Sequence, residues 1–175
     1  MKLRLERLYP SESVILGALA VILGLVSAGG VWLFKWLIDA VQHLTFETLG
    51  SALQPLGNWV VVLFPLLGGL LVGLLLHFFI GQERYHGVAG IMESVALAGG
   101  RLRYKRMPFK AIAAAISLGS GASVGPEDPS VQIGSNLGSM FGQWLHLSDD
   151  RIRTLVAAGA ASGIAAAFNA PIAGV

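Results

Sequence analysis

Two adjacent carboxylates, Glu127 and Asp128, stand in a segment that glycine and proline interrupt repeatedly, GSGASVGPEDPSVQIG at residues 119–134. The segment lies between apolar stretches, and an ionisable side chain in such surroundings is costly enough to indicate a function. A carboxylate can occupy an anion site, leave it on protonation, and so couple protons to anion passage. Alternatively, both carboxylates face water and only favour the helix that follows at Ser130. The spacing leaves both interpretations open.

Backbone amides beside these carboxylates also suit an anion. We predict a helix over residues 131–145, whose first amide groups, around residues 130–133, have no carbonyl partner within the helix. Such a helix N-terminus is a ready anion site. A glycine-rich turn at residues 87–90 opens a second short helix in the same way. Two interrupted helices that direct their N-termini inward are typical of transporters.

Composition places these segments in a membrane. Of the 175 residues, 54% are hydrophobic and 13% charged, with a mean hydropathy of +0.69, whereas soluble domains carry about 25% charged residues. Residues 14–34 and 59–80 contain no charge, and each run reaches the roughly 20 residues that cross a bilayer. A multi-pass integral membrane protein is predicted and a soluble globular domain is excluded. No basic tract interleaved with aromatics indicates nucleic-acid binding, and the scattered histidines predict no metal site.

The N-terminal half is predicted to contain two full spans. A surface helix is expected over residues 1–12, followed by a first span over about residues 13–40. The link over residues 41–58 contains no Lys or Arg, so the positive-inside rule places it outside. The second span, residues 59–80, contains Pro65, which predicts a kink rather than a break.

Beyond the second span the apolar segments become too short to cross a bilayer. Residues 87–98 and 109–118 each fall below about 17 residues and are predicted to be re-entrant or half-spanning. The basic cluster at residues 101–106 lies, by the positive-inside rule, on the side of the basic N-terminus, which is therefore predicted to be cytoplasmic. The final run, residues 155–175, is rich in Ala and Gly and is broken at residues 169–171. Nothing polar caps this run, so we expect the sequence to stop inside an element.

Three motifs carry a resemblance to a known family. GPEDPSVQIG at residues 125–134 resembles the GREGPxVQIG signature of the CLC family of chloride channels and transporters. GIAAAFNAPIAG at residues 163–174 resembles that family's GLAAAFNAPLAG, and HGVAGIMESV at residues 86–95 is more weakly similar to its GxGIPE region. The similarity runs from about residue 13 to the end, so the chain looks like the N-terminal portion of a CLC protein.

The resemblance implies an all-α integral membrane fold with long tilted spans and short half-spanning helices. Residues 13–175 then form the N-terminal part of a transmembrane domain built from two inverted repeats, and the first repeat is incomplete. The family forms homodimers with one anion pathway per subunit. The implied function is chloride transport, as a voltage-gated channel or a chloride–proton antiporter, with no enzymatic activity and no cofactor besides chloride as substrate. Family members that exchange protons use an inner glutamate that would lie beyond Val175.

The resemblance also assigns site residues. Glu127 matches the gating glutamate, whose side chain competes with the anion. His86 falls where the family has a residue that helps to select the central anion. The anion-binding positions that follow from the resemblance and from the helix N-termini are His86, Gly87, Gly125, Pro126, Asp128, Val131, Gln132 and Ile133.

Two residues in the signature depart from the family pattern. Pro126 replaces a basic residue, and Asp128 replaces a glycine whose bare amide helps to form the family's anion site. An additional negative charge at position 128 is expected to repel chloride unless Asp128 is protonated or turned away.

Two other functions stay open at this point. The chain is short for the family, so it is either a self-sufficient transporter or a truncated or split half that conducts nothing without a second chain. The second alternative is a proton or cation pathway in which Glu127 and Asp128 act as a carboxylate pair.

Overall fold

The computed structural model describes residues 12–53, 55, 57, 59–81 and 87–174. The surface helix predicted for residues 1–12 lies almost wholly outside the described residues, and His86 lies outside them as well. Shorter helical turns occur at His43–Leu49 and Leu76–Ile80, which are π-helical, and at Tyr104–Arg106 and Pro171–Gly174, which are 3-10. The α-helices of the described residues are α1 (Glu12–Gln42), α2 (Gly50–Leu53), α3 (Val60–Leu75), α4 (Gly87–Leu97), α5 (Met107–Gly119), α6 (Glu127–Trp144) and α7 (Asp149–Phe168).

Two helical segments of the described chain have the length and composition of membrane spans, Leu16–Leu53 with 38 residues and Val61–Ile80 with 20. About 20 residues are enough to cross the hydrocarbon core. Large apolar side chains are exposed along both, among them Trp32, Leu70 and Phe78. An apolar exterior of this kind suits lipid or further protein rather than water. By length and composition, the two predicted spans are confirmed.

The first long segment extends further than predicted. The link expected over residues 41–58 is helical for most of its length, because π-helical His43–Leu49 and then α2 continue α1. Thr45 Oγ1 donates to the Val41 carbonyl at 2.7 Å, and Gly50 keeps helical dihedral angles of φ −61° and ψ −45°. A single glycine costs only about 1 kcal/mol in a helix, so it does not end this one.

The helices α4 and α5 are short, as predicted. They contain 11 and 13 residues, so at about 1.5 Å per residue they measure roughly 16 and 20 Å, less than a hydrocarbon core of about 30 Å. The first residue of α4, Gly87, has a φ of +62°, and Gly99 and Gly100 beyond its end have φ of +62° and +76°. Only glycine adopts this region readily, so glycine determines where α4 begins and ends.

The helix α6 begins earlier than predicted. Its expected start was Val131, whereas the first helical residue is Glu127. The reason is Pro129, which falls in the first turn. N–H groups of a first turn make no hydrogen bond within the helix, so proline loses nothing there, and its fixed φ suits the helix. The two carboxylates therefore belong to the first turn of α6 rather than to the loop before it.

The position of α6 is fixed by packing on opposite sides. Val131 and Ile133 are two residues apart, so their side chains leave the helix about 200° apart. Val131 belongs to a buried cluster with Ile91 of α4 and Val156 of α7. Ile133 belongs to a second cluster that includes Phe34 of α1. With α6 held between these clusters, its N-terminus has a defined place.

Small residues let α6 and α7 approach closely. Gly134 and Gly138 of α6 lie against the backbone of α7 at Gly159 and Leu155. Ser130, at the N-terminal end of the same interface, is fully buried. Interfaces built on glycine and serine are characteristic of helices that pack in membranes.

Candidate functional site

The N-termini of α4 and α6 meet at one place. Val88, the second residue of α4, donates its backbone N–H to Asp128 Oδ1 at 2.8 Å, and Asp128 is the second residue of α6. Both helix ends carry the positive partial charge of the helix dipole. The structure thus brings together the two glycine-rich turns that the sequence singled out, although 40 residues separate them.

Asp128 is held through both of its carboxylate oxygens. Oδ1 accepts the Val88 N–H, and Oδ2 accepts the side-chain amide of Gln132 at 2.6 Å. A β-carbon at Gly87 would lie 3.3 Å from Oδ1, so the carboxylate sits directly against the first residue of α4. The expectation from the sequence was that a charge at position 128 repels chloride unless Asp128 is protonated or turned away. In the structure it faces the N-terminus of α4, whose positive end stabilises a negative charge.

Glu127 has a different environment from its neighbour. Its side chain is exposed and folds back over the loop before α6, against Gly125. A β-carbon at position 125 would meet the Glu127 carboxylate, which is the end of a flexible, exposed side chain and can move aside. Within the part of the chain that the structure describes, this carboxylate accepts no hydrogen bond. Of the two acidic side chains, only Asp128 is tied to other groups.

The first turn of α6 presents two N–H groups without a helical acceptor. Ser130 donates its N–H and its hydroxyl to the Pro126 carbonyl, at 3.1 and 2.7 Å. Pro129 has no N–H, so the groups that remain are those of Glu127 and Asp128. The prediction therefore placed the available amides too far along α6. Pro126 serves as the residue that anchors the start of the helix.

The other predicted anion-binding positions lie in the second turn of α6. Val131 and Ile133 are 7% and 3% exposed, and their apolar side chains fill the two buried clusters. Gln132 is half-buried and reaches Asp128. His86 lies outside the described residues, so the structure gives no account of it.

A cavity of about 250 Å³ adjoins the meeting point of the two helices. A water molecule needs only about 10–15 Å³ of space measured in this way, so the cavity has room for several waters. A second cavity of about 30 Å³ lies against Pro129, Gln132 and Ile133 and is also lined by α5. The larger cavity is lined by Leu76, Ile80, Gly81, Gly87, Lys110 and Gln132.

Lys110 is a site residue that the sequence reasoning missed. It lies in α5 and lines both cavities, where it supplies a positive charge. The signal was present in the sequence, because Lys110 is the one charged residue in α5, MPFKAIAAAISLG. An ionisable residue in an otherwise apolar helix is a functional candidate by itself.

Lys35 is a second cation that the sequence reasoning did not use. Its ammonium group donates to the carbonyl oxygens of Ala166 and Ala167 at 3.0 and 2.7 Å. These carbonyls belong to the last turn of α7, which ends at Phe168 and is followed by Asn169 in the left-handed conformation. A cation at the C-terminal end of a helix is stabilised by the dipole. The contact ties α1 to the segment that carries the second family motif.

Comparison with known proteins extends these observations to sequence relatives. The profile of the family described as "Voltage gated chloride channel" matches residues 68–175. The "Putative chloride channel protein ClcB-like" of Ralstonia nicotianae is 37% identical over 143 residues, which cover 79% of this chain and 32% of that protein. The "Voltage-gated ClC-type chloride channel ClcB" of Yersinia pseudotuberculosis is 32% identical over 165 residues, which cover 89% of this chain and 39% of that protein.

A solved structure gives the same assignment. The crystal structure of a slow cyanobacterial Cl⁻/H⁺ antiporter superposes with a TM-score of 0.69 at 28% sequence identity, and the match covers 89% of this chain and 37% of the antiporter. The chain therefore spans about a third of the length of the relatives that it matches. Its all-α architecture, its two apolar spans and the profile match over α4 to α7 agree. The chain belongs to the CLC family of voltage-gated chloride channels and transporters, which are integral membrane proteins and not enzymes.

Proposed function

We propose that this chain forms one wall of a pathway for chloride or a similar small anion, gated by Glu127. The observation that carries the proposal is the meeting of the α4 and α6 N-termini beside a cavity that Lys110 lines. Two helix N-termini and an ammonium group are each favourable to an anion, and the one carboxylate that joins the two helices, Asp128, is held by hydrogen bonds. An anion is the species that such surroundings favour.

Each group has a distinct part in the proposed pathway. The N–H groups of Glu127 and Asp128 donate to the anion from α6, and the turn at Gly87 approaches it from α4. Gln132 lines the cavity between them. Val131 and Ile133 act through their buried side chains, which hold the first turn of α6 in place.

Glu127 is proposed as the gate because it lies at the N-terminus of α6 and its side chain can move. It is the first residue of α6, and its exposed carboxylate has no hydrogen-bond partner among the described residues. A carboxylate that is not tied down can move towards the amides of its own helix and exclude an anion there. Protonation removes its charge and with it the attraction to the helix N-terminus.

The proposal extends to the orientation of the chain in the membrane and to its oligomeric state. The basic residues of the N-terminus and of the segment before α5 support a cytoplasmic location for both. Because the chain spans about a third of its relatives, the active unit is proposed to include segments equivalent to the rest of those proteins. We propose that this unit is a homodimer, as the resemblance implies.

Halide efflux from liposomes tests the gate. The full protein and its Glu127→Gln variant are reconstituted, and chloride release is followed with an electrode over a range of external pH. The neutral side chain is expected to change the rate and to remove its pH dependence. Glu47→Gln is the matched control, because the Glu47 side chain is 71% exposed and its pair is with His43, four residues earlier in the same helical segment.

The outcomes of the efflux experiment separate the open alternatives. If Glu127→Gln leaves both the rate and its pH dependence unchanged, Glu127 is not the gate. Potassium release from the same vesicles tests a cation pathway through the two carboxylates. Proton movement against a chloride gradient distinguishes an antiporter from a channel.

A further inference from the structure

The N-terminus of α4 already has an anionic partner within the protein, the carboxylate of Asp128. Asp128 Oδ1 accepts the Val88 N–H at 2.8 Å and lies against Gly87. This contact joins α6 to α4 and does not serve the helix that carries the carboxylate. A carboxylate at the second position of a helix ordinarily stabilises its own N-terminus, whereas here the side chain reaches across 40 residues of sequence.

The second oxygen of Asp128 makes the arrangement specific. Gln132 Nε2 donates to Oδ2 at 2.6 Å from one turn further along α6. The two contacts approach different oxygens, so they fix the carboxylate plane as well as its position. Gln132 and Gly87 also line the cavity of about 250 Å³. The Asp128 carboxylate therefore lies at the edge of the space in which the proposed pathway holds its anion.

We infer that Asp128 is a tethered anion that a transported halide must displace to reach the Val88 N–H. The inference rests on the proposed anion pathway and deepens it, because it names the residue that sets the affinity of that pathway for a small monovalent anion. Asp128 and a halide compete for the same donor, and the carboxylate has the advantage of a permanent tether. Its effect is to weaken halide binding, not to abolish it.

The size of the effect follows from the occupancy of the donor. The apparent affinity of a ligand falls by the fraction of molecules that are ready to bind it. If the carboxylate holds the Val88 N–H about nine-tenths of the time, its removal tightens halide binding about tenfold. Asn at position 128 keeps an oxygen that accepts the N–H but removes the charge, so an intermediate value is expected.

The test uses the full protein in detergent with bromide as the probe. Bromide dissociation constants are measured by calorimetry for the wild type, Asp128→Gly and Asp128→Asn. Asp150→Asn is the matched control, because Asp150 is also the second residue of its helix, is 92% exposed and lies in α7. The glycine variant is expected to bind about tenfold more tightly and the control to match the wild type. A constant for Asp128→Gly within about twofold of the wild type, or no bromide binding by this variant at all, overturns the inference.

Hydrogen exchange at the Val88 amide gives a second readout that a merely structural role would not produce. Without halide, exchange is expected to be slow in the wild type and fast in Asp128→Gly, and bromide is expected to restore protection in the variant. Unchanged exchange in Asp128→Gly, or exchange that bromide does not slow, contradicts the inference. If Asp128→Gly does not fold, bromide affinity and Val88 hydrogen exchange are measured with Asp128→Asn instead.

The failure of this inference and that of the proposed function are distinguishable. If wild-type vesicles release chloride and Glu127→Gln alters that release, but the position 128 variants leave bromide affinity unchanged, Asp128 is not a competitor and the pathway stands. If neither the wild type nor any variant releases chloride or binds bromide, the proposed function and the inference both fail. If Asp128→Gly binds bromide more tightly but Glu127→Gln does not change chloride release, the inference is supported and only the gating role of Glu127 is refuted.

Discussion

Gly134 of α6 and Gly159 of α7 face each other where the two helices cross, and replacing either with alanine is expected to separate them. A β-carbon at Gly134 would lie 2.8 Å from the carbonyl carbon of Gly159 and closer still to its oxygen. The reciprocal β-carbon at Gly159 would lie 2.7 Å from the carbonyl carbon of Gly134. The atoms that it meets belong to backbone, so no side chain can rotate to make room.

The cost of this substitution can be estimated from the geometry. Ordinary contact begins at 3.4 Å, so the carbonyl carbon at 2.8 Å is already about 0.6 Å too close, and the nearer oxygen requires a larger separation. Overpacking of this kind costs about 1–3 kcal/mol, and a rigid backbone places it near the upper end. Alanine regains about 0.5–1 kcal/mol of helix propensity. The net loss expected for Gly134→Ala is therefore about 2 kcal/mol.

Thermal unfolding in detergent measures this loss. For a chain of this size about 1 kcal/mol corresponds to roughly 2–4 °C, so Gly134→Ala is expected to lower Tm by about 4–8 °C. Gly69→Ala is the matched control, because Gly69 lies within α3 and a β-carbon there meets nothing within 4 Å. The double variant of Gly134 and Gly159 should cost less than the two single losses together, since one separation makes room for both methyl groups. Equal Tm values for Gly134→Ala and Gly69→Ala would refute the close crossing.

Two further predictions concern polar groups that join distant parts of the chain. Lys35→Met leaves two carbonyls of the last α7 turn without their donor, so a loss of about 1.5–3 kcal/mol is expected from the same unfolding assay, while Lys105→Met, at an exposed position, should have little effect. Ser139 is fully buried, and its hydroxyl donates to the Gly100 carbonyl at 2.7 Å and accepts the Leu102 N–H at 2.8 Å, so Ser139→Ala should cost about 1–3 kcal/mol and speed hydrogen exchange at that amide. A Lys35→Met variant as stable as the wild type, or unchanged exchange in Ser139→Ala, would contradict the corresponding contact.

Several features of the fold were predictable because their signals are local. The uncharged runs indicated two spans, and the short apolar segments indicated helices that end within the membrane. Where the boundaries were wrong, one residue explains each error. Pro129 was treated as lying outside α6, although proline is tolerated in a first turn, and Gly50 did not end the first long helical segment.

The candidate site was only partly predictable. The motif around Glu127 indicated the region and the kind of ligand, and the glycine-rich turn at Gly87 indicated the second helix N-terminus. The sequence predicted that a charge at position 128 repels chloride unless Asp128 is protonated or turned away, but it gave no sign that Val88 and Gln132 hold this carboxylate. Lys110 was visible as a lone charge in an apolar helix, but nothing near it in sequence indicates that it shares cavities with α6.

The sequence by itself determined that this is a membrane protein of the CLC family with two long apolar helices and a set of short ones. Hydrophobic periodicity, proline and glycine act over a few residues, so short stretches of sequence are enough to indicate these helices. Only the tertiary structure decided which polar groups meet. The partner of Asp128 is 40 residues away and the partners of Lys35 are more than 130 residues away. Those pairs depend on where packing places the ends of α4, α6 and α7, and a buried donor or acceptor takes the partner that the packing brings to it.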